Sequence, residues 1–283
     1  MKLVPAPIDC VLHQAHVWAG VSVSIDETID WRSDTNGVFR GDIDDSWAQG
    51  RSVFGGLVTS GALRAIRSRV PDRRPVELHT RYIAPLPPGP ISCQIEILRA
   101  GGSVTHVEAR VSSPRGLASI VSATLASPRE SAIRIDGDRR RGGLPDPESL
   151  TSLPYIPNVT PAFLQHVDMR WTGGGAPFTG QAEARIEGWC RVANTRLSGA
   201  DIAAALLDVW PTPVLPMLHR PAPASTISWN GWFHRIPEQG GGWWWYREAA
   251  HAAADGVAVS VGYLYSPDGS LAASKGQSAA VYG

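Results

Sequence analysis

The 283-residue chain is 43% hydrophobic and 18% charged, with 26 Lys plus Arg balanced by 26 Asp plus Glu. That composition can bury a substantial core and excludes a disordered chain, while zero formal net charge removes the global field that would gather nucleic acid or an acidic membrane. The length suits one large domain or two of roughly 100 to 150 residues, and two halves is the reading adopted.

The N-terminal run MKLVPAPIDCVLHQAH lacks the uninterrupted apolar stretch of a signal peptide, and no segment approaches ~18 apolar residues. Cys10, Cys93 and Cys190 are odd in number and far apart, which argues against a disulfide framework and against a CxxC site. A cytoplasmic protein with no stable membrane insertion is expected. His13 and His16 lie near Asp9 and Cys10, but Pro5 and Pro7 precede them and no second ligand cluster follows, so no metal is expected.

In the first half, Phe54, Gly55 and Gly56 introduce LVTSGALRAIRSRV, where Val58, Ala62, Ala65 and Ile66 recur at helical spacing until Pro71. Extended stretches follow at 76–83, 91–99, 105–112 and 117–126, separated by LPPGP, AGGS and SPRG turns. Residues 128–161 are rich in Pro, Gly, Asp, Arg and Ser and read as a surface linker between repeats at 1–127 and 162–283. Arg139, Arg140 and Arg141 fall among Asp136, Asp138 and glycines there, a solvated run rather than a nucleic-acid contact.

The second half opens with extended segments near Phe163 and reaches LSGADIAAALLDVWP. Ser198 with Asp201 three residues on is a capping pattern, and Pro211 marks the far end of that helix. Strands are expected at 226–234, 243–250, 257–265 and 271–281, with IPEQGGG and SPDG between them. The order repeats that of the first half, an α+β plan, and the best internal match pairs PRGLASIVSAT with PDGSLAASKGQ.

Only the second copy adds a carboxylate, a hydroxyl and an amide. Asp208 follows AAALL near a helix C-terminus, where the macrodipole disfavours an anion, so a carboxylate there needs compensation and is a candidate base of raised pKa. Alternation puts Thr226 with Ser228, Asn230, Trp232 and His234 on one strand face, opposite Ile227, Trp229 and Phe233. Gln277 shares a face with Ala273, Lys275, Ala279 and Val281. Five of the eleven tryptophans lie between Trp229 and Trp245 and read as core packing or a subunit interface.

These residues resemble the acyl-CoA thioesterase II family of double-hotdog enzymes. The resemblance rests on FRG at Phe39–Gly41, VFGG at Val53–Gly56, LLD at Leu206–Asp208, TI at Thr226 and Ile227, WFHR at Trp232–Arg235, and DGSLAAS followed by Gln277. It implies two tandem hotdog folds, each a long helix wrapped by an antiparallel sheet, with an acyl-CoA site between them. It also implies an Asp, Thr and Gln trio that activates water, matching Asp208, Thr226 and Gln277, and no cofactor. Leu57 and Ser278 depart from the family pattern, standing where a polar and an acidic residue are common.

Backbone N–H groups of Gly55, Gly56 and Leu57 at the start of the first helix are candidates to receive the oxyanion, since a helix N-terminus favours negative charge. Hotdog pairing through sheets points to a homo-oligomer. Two other readings compete: a non-catalytic acyl-CoA or lipid-binding module, and an enoyl-CoA hydratase-like lyase. CRVANTRLSGAD lacks the His and the Asn-Pro turn that the lyase needs before its helix, and no GxSxG signals a Ser hydrolase.

Overall fold

The protein is described by a computed structural model over residues 23–282, so Cys10, His13 and His16 lie outside the described residues. Chain order begins with α1 (Ile25–Thr28), β1 (Arg32–Ser33), β2 (Phe39–Ile43), β3 (Ala48–Gln49) and β4 (Ser52–Val53). Then come α2 (Gly55–Arg69), β5 (Arg74–Tyr82), β6 (Gly89–Ala100), β7 (Val104–Ser113) and β8 (Gly116–Ala126). The second half holds β9 (Val167–Gly174), β10 (Arg185–Val192), α3 (Gly199–Leu206), β11 (Ala224–Phe233), β12 (Trp244–Ala254), β13 (Val257–Tyr265) and β14 (Leu271–Val281).

Twelve strands form one antiparallel sheet in the order β1-β2-β6-β7-β8-β5-β11-β14-β13-β12-β10-β9. The order reads as the same six-strand pattern from either edge toward the centre, where β5 pairs with β11 and joins the halves. This is the α+β double hotdog, each half a sheet with its own helix. Pro71 ends α2 as expected, because proline cannot continue the ladder of helical hydrogen bonds.

Three β-bulges recur at corresponding places in the two halves. Between β5 and β8 the register shifts at Pro75/Glu77, and between β11 and β14 it shifts at Thr226/Ser228. The other pairs are Ile97/Arg99 with Ala250/Ala252 and Val111/Ser112 with Leu264/Tyr265. Carrying the registers across makes Val121 the counterpart of Lys275, and Ala123 the counterpart of Gln277. The ungapped match of PRGLASIVSAT with PDGSLAASKGQ is therefore one residue out of step, because Ser270 lengthens the second turn.

The helices pack against each other through small residues. A Cβ added at Gly56 would sit 2.5 Å from the Ala205 carbonyl oxygen, so the absence of a side chain there is what allows the approach. Ser60 Oγ donates to the Asp201 carbonyl at 2.8 Å, and Arg67 reaches the Asp201 carboxylate at 2.9 Å. Ser198 Oγ accepts from the Asp201 N–H, so the helix cap is present while the Asp201 carboxylate serves the neighbouring helix. Gly56→Ala is expected to lower stability by about 1–3 kcal/mol in thermal or urea unfolding, since a backbone carbonyl cannot yield as a side chain can.

Arg139 and Arg141 are exposed, as a solvated run would be, and the run also makes defined contacts with the second half. Arg139 forms a β-bridge with Ser270, Arg140 lies 5.1 Å over the Trp189 ring, and Arg141 lies 5.7 Å over Trp245 while pairing with Glu187 at 2.9 Å. The linker thus straps a satellite apolar cluster of Trp189, Trp245 and Tyr265 on the second half. Most of the tryptophan-rich segment is core: Trp229, Trp244 and Trp245 are buried, whereas Trp232 is 41% exposed.

Candidate active site

Asp208 lies two residues beyond α3, and the compensation its position requires comes from the other half of the molecule. Its carboxylate faces the N-terminus of α2, where a Cβ added at Gly55 would fall 2.6 Å from Oδ2 and the Gly56 backbone N–H favours the anion. Tyr82, the last residue of β5, donates its hydroxyl to Asp208 Oδ2 at 3.2 Å and accepts from Trp229 Nε1 at 3.1 Å. The unfavourable end of α3 is offset by the favourable end of α2.

Burial is the foremost cause that lifts the Asp208 carboxyl to about 6. The Lys275 ammonium, the Tyr82 hydroxyl and the Gly56 N–H pull it down, and the Glu248 carboxylate pushes it up. Burial and the Asp208 charge hold the Tyr82 phenol well above its ordinary pKa, which keeps it a donor at neutral pH. A carboxylate poised near 6 can take a proton at physiological pH and release it again.

Gln277 Nε2 donates to Thr226 Oγ1 at 3.0 Å, so two of the three expected residues meet directly. This contact depends on the bulge. Strict alternation placed Thr226 with Ser228 and away from Trp229, but Thr226 pairs with Ala279 and Trp229 with Gln277, and Ala279 and Gln277 share a face of β14. The extra residue, Ile227, turns Thr226 inward beside Trp229 and leaves Ile227 43% exposed.

Asp208 joins this pair by way of Tyr82 and Trp229; among the described residues it makes no hydrogen bond to Thr226 or Gln277. Of the three candidate oxyanion donors, Gly56 is the one whose N–H acts on the Asp208 carboxylate, the weakest of the influences on it. The Gly55 position abuts the same carboxylate: a Cβ there would fall 2.5 Å from the Tyr82 hydroxyl and 2.6 Å from Asp208 Oδ2. The Leu57 side chain is fully buried in the core. Gly55→Ala is expected to reduce kcat by about tenfold to a hundredfold in a steady-state assay, because a displacement near 1 Å at a reacting group carries that penalty.

Residues that local patterning missed complete the surroundings. Lys275 Nζ donates to Gln277 Oε1 and lies 3.4 Å from Glu248 Oε2, with both charged side chains wholly buried. Glu248 accepts from the Tyr246 hydroxyl and from Ser260 Oγ, each at 2.5 Å. A charged residue alternating with Trp244 and Tyr246 on one face of β12 was the available signal for Glu248. Tyr82 had none, since nothing at the end of its own strand marks a partner from the other half.

Family comparison places this arrangement. Residues 43–126 match the acyl-CoA thioesterase N-terminal domain, and residues 147–281 match the acyl-CoA thioesterase C-terminal domain. The chain belongs to the acyl-CoA thioesterase family. Its reaction class is thioester hydrolysis. No curated protein gives a significant sequence match. Solved structures share the fold: a conserved hotdog protein of unknown function from Alicyclobacillus acidocaldarius is 22% identical, with 93% of this chain and 99% of that one covered and a TM-score of 0.81. A tesB protein from Mycobacterium avium subspecies paratuberculosis is 17% identical, covering 92% and 98% at a TM-score of 0.74. The acyl-CoA thioesterase II TesB2 of Mycobacterium marinum is 19% identical, covering 92% and 99% at 0.73. Among the described residues, no helix is long and apolar enough to cross a membrane, and no group of three or more His, Cys, Asp or Glu could hold a metal.

Proposed function

We propose that this thioesterase hydrolyses acyl-CoA to a free fatty acid and CoA by direct attack of water, with Asp208 as base and with Thr226 and Gln277 positioning the water. The observation that carries the reading is a half-buried carboxyl group between the two repeats, hydrogen-bonded by Tyr82 and joined through Tyr82 and Trp229 to the strand pair that bears the Thr226–Gln277 hydrogen bond. The water oxygen forms a bond to the thioester carbonyl carbon while Asp208 takes its proton. The carbonyl electrons move to oxygen and return as the C–S bond breaks, and the proton passes from Asp208 to the departing CoA sulfur.

The oxyanion is assigned to the first-turn N–H groups of Gly55, Gly56 and Leu57, which an α-helix leaves without intrahelical partners. A base with pKa about 6 makes the rate rise with pH and level off above neutrality. A panel of acyl-CoA thioesters with a thiol-reactive dye tests this: CoA thiol should appear, with kcat/KM climbing through a midpoint near pH 6. Binding of acyl-CoA without release of thiol at any chain length would replace hydrolysis by a binding role. A cytoplasmic place in fatty acid metabolism and a homo-oligomeric state belong to the same proposal, the latter read by light scattering.

A further inference from the structure

We propose that Lys275 is a positioning residue for hydrolysis, holding the Gln277 amide in the one orientation that turns Nε2 toward Thr226; this rests on the Asp208, Thr226 and Gln277 reading above. An ammonium has three donors and no acceptor, so the atom of Gln277 facing Lys275 is Oε1. Nε2 is then the atom that meets Thr226 Oγ1 at 3.0 Å, and Thr226 becomes the acceptor. The hydroxyl hydrogen of Thr226 is left free to donate to the oxygen of the attacking water, and the second Nε2 hydrogen of Gln277 is likewise free. A flipped amide would consume the Thr226 hydrogen and remove that donor.

Lys275 is itself held rigidly. Its ammonium pairs with Glu248 at 3.4 Å and lies 5.6 Å from the Tyr246 ring centroid, while Tyr246 and Ser260 occupy the two Glu248 oxygens. The fold does not require this cluster. At the positions that strand register makes equivalent to Thr226, Glu248, Ser260, Lys275 and Gln277, the first repeat has Pro75, Ile95, Val107, Val121 and Ala123. A buried ion pair gains little stability over an apolar pair of like volume, so its presence in one repeat alone points to function.

The ionisable groups around Asp208 are Tyr82 from β5, Tyr246 and Glu248 from β12, and Lys275 from β14, with the Gly56 N–H from α2. Lys275 acts on Asp208 more strongly than Glu248 does and in the opposite sense, so neutralising both should raise the Asp208 midpoint.

The test is the double variant Glu248→Gln/Lys275→Met, which keeps the site neutral. Glu248→Ile/Lys275→Val, copying the first repeat, takes its place should the first fail to fold. Expected in a folded variant are a kcat lower by about tenfold with KM within about twofold, and a pH–rate midpoint shifted upward. Side-chain amide resonances of Gln277, followed by NMR without turnover, should exchange with solvent faster than in the wild type. A folded variant with wild-type kcat, or with Gln277 amide protons as protected as before, would overturn the proposal. Should the wild type release no CoA, the hydrolytic reading fails, and with it any catalytic use of Lys275; the amide resonances still report whether Lys275 sets the orientation.

Discussion

Asp208→Asn is expected to lower kcat by about 10²–10⁴-fold, the range that general bases contribute, while leaving KM for acyl-CoA nearly unchanged. Asn keeps the shape and still accepts from Tyr82, so only proton transfer is lost. The same change should make the protein more stable at high pH. The folded state holds the Asp208 proton up to about pH 6, whereas the unfolded chain releases it near 3.8. Below pH 3.8 both states are protonated and the group costs nothing. Between 3.8 and 6 the unfolded state gains by ionising, and above 6 the full cost applies, about 1–3 kcal/mol once solvent screening of this half-buried carboxyl is allowed for. Thermal melts at pH 8 should show Asp208→Asn several degrees above the wild type, and the gap should close as pH falls toward 4. Equal melting temperatures at pH 8 would mean that Asp208 is not desolvated, and undiminished turnover would remove it as base.

Glu248→Leu is expected to destabilise the fold by about 3–5 kcal/mol. It strips the adjacent counter-charge from an ammonium with no exposure, leaving the Gln277 oxygen as its one hydrogen-bond acceptor among the described residues, and it deprives Tyr246 and Ser260 of their acceptor. Urea unfolding should show the midpoint drop with an unchanged slope. Adding Lys275→Met should recover most of the loss, because the apolar pair then resembles Ile95 and Val121 of the first repeat. A double variant as unstable as Glu248→Leu alone would show that the cost comes from the hydroxyl partners instead of the unpaired charge.

The strands of the second half were readable because their apolar periodicity is local: 257–265 and 271–281 agree with β13 and β14 to the residue. The same holds for the Gly-led helix α2, its stop at Pro71, and the repeated order of elements. The chemistry-bearing types at Asp208, Thr226 and Gln277 also stand out in sequence, since polar groups in otherwise small and apolar segments call for a reason. Their partners do not. Tyr82 meets Asp208 across 126 residues and Trp229 meets Tyr82 across 147, separations over which no periodicity carries information.

Composition, period and motif order by themselves determined the duplicated α+β plan, the family resemblance and the three polar positions. Tertiary structure alone decided that a bulge at Ile227 turns Thr226 inward, that the N-terminus of α2 and Tyr82 hold the carboxylate of the other repeat, and that Lys275 and Glu248 stand behind Gln277. The reason is physical: alternation of side chains follows from the backbone of one strand, but a bulge, a desolvated charge and a borrowed helix end arise only when distant segments pack together.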